Sequence, residues 1–420
     1  MSVERIIVEG GKTLTGTVQV SGAKNSVLKL MAASILASGT TTLTNVPRIS
    51  DVALMEEVLR HLGATVIAEN NTLTIDTSNL SCYEAPYELV NRMRASTAVL
   101  GPLINRFGKA RVAMPGGCQI GSRQMDLHFA GLEALGVAFE NKHGFINASV
   151  PSSGLKAGRV ALGFPSVGAT ENLMIVASAI PGTSVIENAA CEPEICDLAE
   201  FLIAMGAEIK GQGTPVITIQ GTQDFSPVTD YRTVGDRIEA GTFLVAGALG
   251  GGPVTVQGFN PEHLRIPLAK LKALGCVLDI AHQSVTVTHE GAFKPTDIQT
   301  LPYPGFPTDL QPQFMVLAAL ADGVSVITEN IFENRFMFVD ELVRMGATVH
   351  LEGHHAVIEG VKQLSGAPVQ ASDLRAGAAL VLAGINAEGS SHISEVEHIY
   401  RGYEGLVEKL QGLGAAIHHG

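Results

Sequence analysis

Tryptophan is absent from the chain, which removes an intrinsic fluorescence reporter and leaves the chemistry untouched. Cysteine is sparse: five scattered residues, an odd number without framework spacing, fit a reducing compartment better than a disulfide scaffold. Cys191 and Cys196 have no matching second pair, so a zinc site is not expected. Positive charge is also short, and the net charge of −13 argues against nucleic acid or an anionic membrane as the main partner. Only local cationic clusters for a small anion remain compatible with that balance. No signal-peptide pattern opens the sequence. The apolar runs Val27–Ala37, which carries Lys29, and Ala376–Ala383 are too short to span a bilayer. A cytoplasmic protein is the expectation. What is plentiful is apolar residues, at 46%, and glycine, at 46 residues, which together describe a well-packed protein of two or three domains with many tight turns or helix ends.

The glycines are not randomly placed. An apolar residue, a Gly, a small residue, any residue and an apolar one recur six times, at Leu62–Val66, Leu135–Phe139, Met205–Ile209, Leu274–Leu278, Met345–Val349 and Leu413–Ile417. The six glycines are separated by 73, 70, 69, 71 and 68 residues. Each copy closes an amphipathic segment such as Val52, Met55, Leu59 and Leu62, which predicts a surface helix, a Gly just past its end and a strand after it. Earlier in each unit lies a second helix that is apolar all round, for example Leu28–Gly39, Ala95–Phe107, Ala169–Gly182 and Ala240–Gly252. Such a helix must be buried on all sides. Three repeats grouped with their apolar helices inside and strands outside satisfy that demand, twice over. The surplus opening strand Ile6–Val8 then suits a discontinuous domain of 1–20 plus 232–420 around a continuous domain of 21–231, an arrangement that allows a hinge and a ligand cleft.

The segments that open the apolar helices break a rule. Helix N-termini carry partial positive charge and favour acidic residues, yet Lys24, Arg94, Arg237 and Arg375 stand there. Local pairing, as of Arg237 with Asp236, would accommodate any one of them. Four equivalent placements point instead to a common anionic ligand. Asp309 and Asp373 suit helix caps and can face a cleft as well, whereas Asp51, Asp340 and Glu404 read as ordinary surface or cap residues. Outside the regular unit lies Pro115–His128, where three glycines surround Cys118 and Arg123 follows, the composition of a mobile loop with an activated thiol or of an idle one. Composition and spacing thus support transfer chemistry on a phosphorylated or carboxylated small molecule.

These residues carry a resemblance over essentially the full length. Ser21-Gly22-Ala23-Lys24-Asn25, Met93-Arg94-Ala95-Ser96, the Pro115–His128 loop, Ser166–Thr170, Glu192–Ile195, Asp236–Thr242, Phe306–Asp309, Phe332–Arg335, Asp373–Ala376 and Arg401-Gly402-Tyr403 resemble the UDP-N-acetylglucosamine 1-carboxyvinyltransferase family of enolpyruvyl transferases. The resemblance implies an α/β fold of two inside-out barrels of three repeats each. It also implies transfer of enolpyruvate from phosphoenolpyruvate to the 3′-hydroxyl of UDP-N-acetylglucosamine, at the first committed step of peptidoglycan synthesis. By similarity Cys118 donates the proton to phosphoenolpyruvate and can form an adduct with it, while Asp309 assists the sugar hydroxyl. Lys24, Arg123 and Arg401 would hold phosphate and carboxylate, with Asp373 and Arg375 supporting the charged intermediates and Asn25 and Arg335 orienting the substrates. The sugar-nucleotide side would be lined by Arg94, Arg123, Gln124, Met125, Asp126, Leu127, Ser166, Val167, Gly168, Asp309, Ile331 and Arg335. No metal or cofactor is implied, and the partners are the two small molecules, with a monomer or weak homo-oligomer expected.

Two positions depart from the family pattern: Phe164-Pro165 stands where some members have Lys-Val, and Cys191 replaces an Arg or Lys before Glu-Pro-Glu-Ile. The same repeat plan also occurs in transferases acting on shikimate 3-phosphate, which lack the Gly-Gly-Cys loop, so Cys118 discriminates against them. A transferase using another nucleotide and an inactive regulatory paralogue are the remaining alternatives.

Overall fold

All six repeat glycines, Gly63, Gly136, Gly206, Gly275, Gly346 and Gly414, adopt φ between 95° and 119°, the region that costs a Cβ-bearing residue most. The computed structural model describes residues 4–90, 94–114 and 125–420. Each glycine ends a surface helix: Ser50–His61, Asp126–Ala134, Pro193–Ala204, Arg265–Ala273, Val339–Arg344 and Leu406–Gly412. A strand follows each within two residues, beginning at Thr65, Ala138, Glu208, Val277, Thr348 and Ala416. The positive φ reverses the chain so that the strand leaves the helix at once.

Six four-stranded sheets occur among the described residues, all with one plan. In one of them Glu84–Ala85 runs parallel to Lys109–Ala113, which is antiparallel to Phe145–Ser149, itself antiparallel to Ala138–Lys142. Three sheets borrow a strand from far along the chain. Ile6–Glu9 lies between Ser390–Ser394 and Ala416–His419, with Ile6 opposite Ile393 and His419. Leu14–Gln19 forms the parallel edge beside Gly251–Gln257, and Tyr231–Arg232 does so beside Thr40–Thr44. The chain divides into two compact units, one of the residues up to Ser21 with Gly235–Gly420, the other of the described residues from Gly22 to Val234.

The apolar helices occupy the interior of each unit. In one they are Lys24–Ala33, Leu100–Phe107 with the 3-10 turn that precedes it, and Val167–Ser178. In the other they are Arg237–Gly250, Gln311–Ala319 and Leu374–Asn386, of which the first two are buried at every residue. Enclosing each large aliphatic or aromatic side chain contributes about 1.5–3 kcal/mol, so these helices and the inward faces of the sheets carry most of the stability. Close approach demands small residues: a Cβ on Gly241 would stand 2.6 Å from Leu310 Cδ1.

Each interior also holds polar groups that pair with one another. Tyr403 and Thr242 hydroxyls lie 2.8 Å apart, and Gln313 Nε2 donates to both. Nearby, Glu239 is buried and accepts from the Ser21 backbone N–H at 2.8 Å and from Lys409 Nζ at 2.5 Å, while Ser21 Oγ donates to Glu404 at 2.7 Å. Glu404 is therefore part of an internal network rather than the ordinary surface residue its sequence context suggests.

Burial pushes the Glu239 carboxyl up to about 7, against the downward pull of Lys409. The folded chain then keeps a proton that the unfolded chain releases above pH 4.5. The stability from this group is fully present below that pH and is lost as pH rises to about 7, a loss of at most about 3 kcal/mol. Thermal unfolding followed from pH 4.5 to 7.5 should show the wild-type midpoint falling relative to that of Glu239→Gln. Parallel profiles for the two proteins would contradict it.

Candidate functional site

The three interior helices of the unit that contains Gly235–Gly420 begin close together, and their first turns supply a charged cluster. Arg375 is the second residue of Leu374–Asn386, a helix capped by Asp373, whose carboxylate accepts from the Arg375 and Ala376 N–H groups at 2.8 and 3.1 Å. The cap expected of Asp373 is thus present. The cap expected of Asp309 is not: Pro307 precedes the 3-10 turn Thr308–Leu310, and the Asp309 carboxylate is taken by two guanidiniums instead. Arg335 Nη2 donates to Asp309 Oδ1 at 3.1 Å and Arg375 Nη2 to Asp309 Oδ2 at 3.0 Å. Helix-end capping is local, whereas this pairing needs two residues far away in sequence, which is why it escaped the sequence reading.

Both guanidiniums are almost wholly buried. Burial pushes Arg375 down, but Asp309, then Tyr403 and Asp236, push it up, and the net direction is upward, so it remains a cation. Its plane sits 5.4 Å from the Tyr403 ring centre. Arg375 Nε and Nη1 and Arg335 Nε find no acceptor in hydrogen-bonding geometry among the described residues. Asp236 and Asp373 add negative charge close by, yet these donors stay unused in a setting where helix N-termini add to the positive potential. Such a site is built for an anion.

Arg401 caps the short helix Glu397–Tyr400 and is half-buried. Ile331 lies in the turn that leads to Arg335, with its N–H bound to Glu329 at 2.8 Å. Arg237, another cation singled out by its helix-start position, is buried with its guanidinium 5.4 Å from the Tyr303 ring centre. The structure therefore brings Asp309, Arg335, Asp373 and Arg375 together on one unit.

The remaining described candidates lie on the other unit. Lys24 opens the helix Lys24–Ala33, whose preceding residue, Ala23, offers no side-chain cap. Its Nζ lies 2.8 Å from Asp51 Oδ2, and Asp51 is buried. The reading of Asp51 as an ordinary surface or cap residue is corrected: it compensates a cation at a helix N-terminus, where a lysine would otherwise be repelled. Asn25 beside it is exposed. Ser166 caps the helix Val167–Ser178, its Oγ accepting from Ala169 N–H at 3.3 Å.

His128 joins two predicted segments. It follows Met125, Asp126 and Leu127 on the helix Asp126–Ala134, and a Cβ at Gly168 would lie 3.1 Å from its ring. Its Nδ1 stands 3.1 Å from Asn172 Nδ2, while Asn172 Oδ1 accepts from Gly101 N–H at 3.1 Å. Burial, then the Lys29 charge, pushes the imidazole down to about 4, so it is neutral and accepts from the Asn172 amide. Beneath it Lys29 Nζ pairs with the buried Glu171 at 2.5 Å. His128 and Asn172 were not assigned roles from sequence, because their partners lie on separate helices. The Arg94 side chain, Cys118, Arg123 and Gln124 lie outside the described residues. Of the two departures, Phe164 is exposed, and the Cys191 thiol, within reach of the Ala189 carbonyl at 3.6 Å, is pushed up by burial and then by Glu192.

Comparison with known proteins shows the family of the chain. The family model described as EPSP synthase (3-phosphoshikimate 1-carboxyvinyltransferase) matches residues 8–410. A UDP-N-acetylglucosamine 1-carboxyvinyltransferase of Desulfosudis oleivorans is 51% identical over 99% of both chains. A UDP-N-acetylglucosamine 1-carboxyvinyltransferase 2 of Carboxydothermus hydrogenoformans is 51% identical over 99% of both. Among solved structures, the enolpyruvyl transferase NikO of Streptomyces tendae superposes with a TM-score of 0.88 at 26% identity, covering 99% of each chain. An EPSP synthase of Acinetobacter baumannii shares the fold, with a TM-score of 0.77 at 18% identity over the whole of both chains. The six-repeat architecture and the full-length match agree, and the chain belongs to the family of enolpyruvyl transferases that includes EPSP synthase and the UDP-N-acetylglucosamine 1-carboxyvinyltransferases.

Proposed function

We propose that this protein transfers the enolpyruvyl group of phosphoenolpyruvate to the 3′-hydroxyl of UDP-N-acetylglucosamine and releases phosphate. The observation that carries the reading is the Arg335–Asp309–Arg375 cluster, a half-buried carboxylate between two buried guanidiniums whose unused donors call for a further anion. Phosphoenolpyruvate brings a phosphate and a carboxylate, and a sugar-nucleotide acceptor brings a diphosphate. The acceptor is favoured by the relatives of that name at half identity over the full length, whereas the EPSP synthase structures share the fold at 18%.

The reaction adds and then eliminates. The 3′-oxygen bonds to C2 of phosphoenolpyruvate while C3 gains a proton. In the second stage C3 returns a proton and the C2–O bond to phosphate breaks. Addition needs an acid at C3 and a group to accept the hydroxyl proton. In this scheme Cys118 is the acid and the attachment point for a phosphoenolpyruvate adduct, and Asp309 draws the proton from the hydroxyl. Lys24, Arg123, Arg375 and Arg401 balance phosphate and carboxylate, with Asn25 and Arg335 orienting the reactants and Asp373 holding the helix that bears Arg375. Met125–Leu127, Ser166–Gly168 and Ile331, with Arg94 and Gln124, take the sugar nucleotide. The described cations already carry local partners, as Lys24 does in Asp51, so an arriving anion shares rather than replaces compensation. In the cell this assigns the protein to cytoplasmic peptidoglycan synthesis, and through the cell wall to shape and division. A phosphonate epoxide such as fosfomycin would then alkylate Cys118.

Phosphate release from phosphoenolpyruvate should be supported by UDP-N-acetylglucosamine and not by shikimate 3-phosphate; the reverse preference would overturn the reading. Cys118→Ala should abolish turnover, the phosphoenolpyruvate adduct and the mass increase caused by fosfomycin, and full turnover in that variant would remove the acid role. Asp309→Asn keeps the shape but removes the charge between two buried guanidiniums. It should lower turnover by about 100-fold or more. It should also lower stability by about 1–3 kcal/mol in denaturant titration.

A further inference from the structure

Glu329 stands just past the strand Val324–Thr328 and is buried, and among the described residues its hydrogen bonds reach a residue assigned to substrate at the backbone N–H of Ile331. Its two oxygens divide their work. Oε1 accepts from Ile331 N–H at 2.8 Å, Phe332 N–H at 3.1 Å and Thr300 Oγ1 at 2.9 Å. Oε2 accepts from Thr308 Oγ1 at 2.9 Å. Thr308 immediately precedes Asp309, and the Phe332 carbonyl accepts from Arg335 N–H at 3.2 Å. Thr300 reinforces the same turn by accepting from Asn330 N–H at 2.9 Å.

One carboxylate therefore grips both backbones that present the Asp309–Arg335 ion pair, one oxygen to each side. Hydrogen bonds to a carboxylate are short and strong, and four of them reach this buried side chain. Were Glu329 only a turn stabiliser, its Oε1 bonds would suffice. The Oε2 bond to Thr308 crosses to a second loop and sets the spacing between that loop and the 329–335 turn.

We infer that Glu329 is a positioning residue that sets the separation and orientation of Asp309, Arg335 and Ile331 for the sugar-nucleotide acceptor. This rests on the enolpyruvyl-transfer reading above. Lys24 stands on the other unit, and Arg375 is fixed by its helix and the Asp373 cap as well as by its bond to Asp309, so the phosphoenolpyruvate side depends on Glu329 less than the acceptor side does. Glu329→Ala strands two hydroxyls and two N–H groups. Glu329→Gln keeps an oxygen for the three Oε1 donors and turns its amide toward Thr308, whose hydroxyl can reverse and accept.

The test is steady-state phosphate release with both substrates varied, on folded protein verified by circular dichroism. Glu329→Ala should lower kcat/KM for UDP-N-acetylglucosamine by about 100-fold while KM for phosphoenolpyruvate stays within about 2-fold, and Glu329→Gln should recover to within about 5-fold of wild type. Should Glu329→Ala fail to fold, Thr308→Val deletes only the bond beside Asp309 and should cost about 10-fold in the same ratio, with Thr308→Ser restoring it. The inference is overturned if Glu329→Ala, or in its place Thr308→Val, matches wild type, or if the constants for both substrates worsen equally. Wild-type activity in the same assay separates the two levels. Its absence with UDP-N-acetylglucosamine overturns the functional reading and this inference with it, while its presence with insensitive variants overturns only the inference.

Discussion

Six largely apolar helices need cover over most of their surface, and most of this structure follows from enclosing them. A helix with one polar face can lie on a sheet; these need more cover than that. Three such helices shield one another, and three four-stranded sheets with their surface helices complete the cover in each unit. The small residues within the helices, such as Gly241 against Leu310, let the backbones approach closely enough to leave no gap. The sheets in turn explain why the opening strand pairs with Ser390–Ser394 and Ala416–His419: without it that sheet would expose the interior along a missing strand.

Enclosure has an electrostatic consequence. Parallel packing of three helices brings three sets of unsatisfied N–H groups to one end of a unit, and that end is positive before any side chain is counted. In the unit with Gly235–Gly420 that end also holds Arg335 and Arg375, held in place by Asp309 and by the Asp373 cap. Burying two cations there is tolerable because the carboxylate sits between them, and useful because some of their donors remain unused. In the other unit Lys24 is balanced in the same way by Asp51. The polar groups deeper inside, His128 with Asn172 and Lys29 with Glu171, are paired with one another.

Much of the architecture was legible because it is periodic. The six glycines reported a turn that only positive φ allows, and every one has it. The apolar helices reported their own burial. Parts of the candidate site were legible for a different reason: Lys24 and Arg375 violate a local preference, and a violation of that kind carries information. Asp373 was readable as a cap because a cap is a contact two or three residues long. Asp51, Asp309, His128 and Glu329 were not readable in these pairings, since each acts on a partner 21 or more residues away. Nothing in a short stretch distinguishes a carboxylate that caps from one that pairs with a distant guanidinium.

By itself the sequence determined the repeat, the helices that had to be inside, the glycine turns and the cations at helix starts. All of these depend on residues near one another in the chain, where spacing and side-chain type are sufficient. Only the tertiary structure decided which carboxylate compensates which cation, where donors remain unused, and that Glu329 grips both loops of the Asp309–Arg335 pair. Those facts depend on how separate strands and helices are brought within 3 Å of each other, and hydrogen bonds and buried charges are decided at that distance.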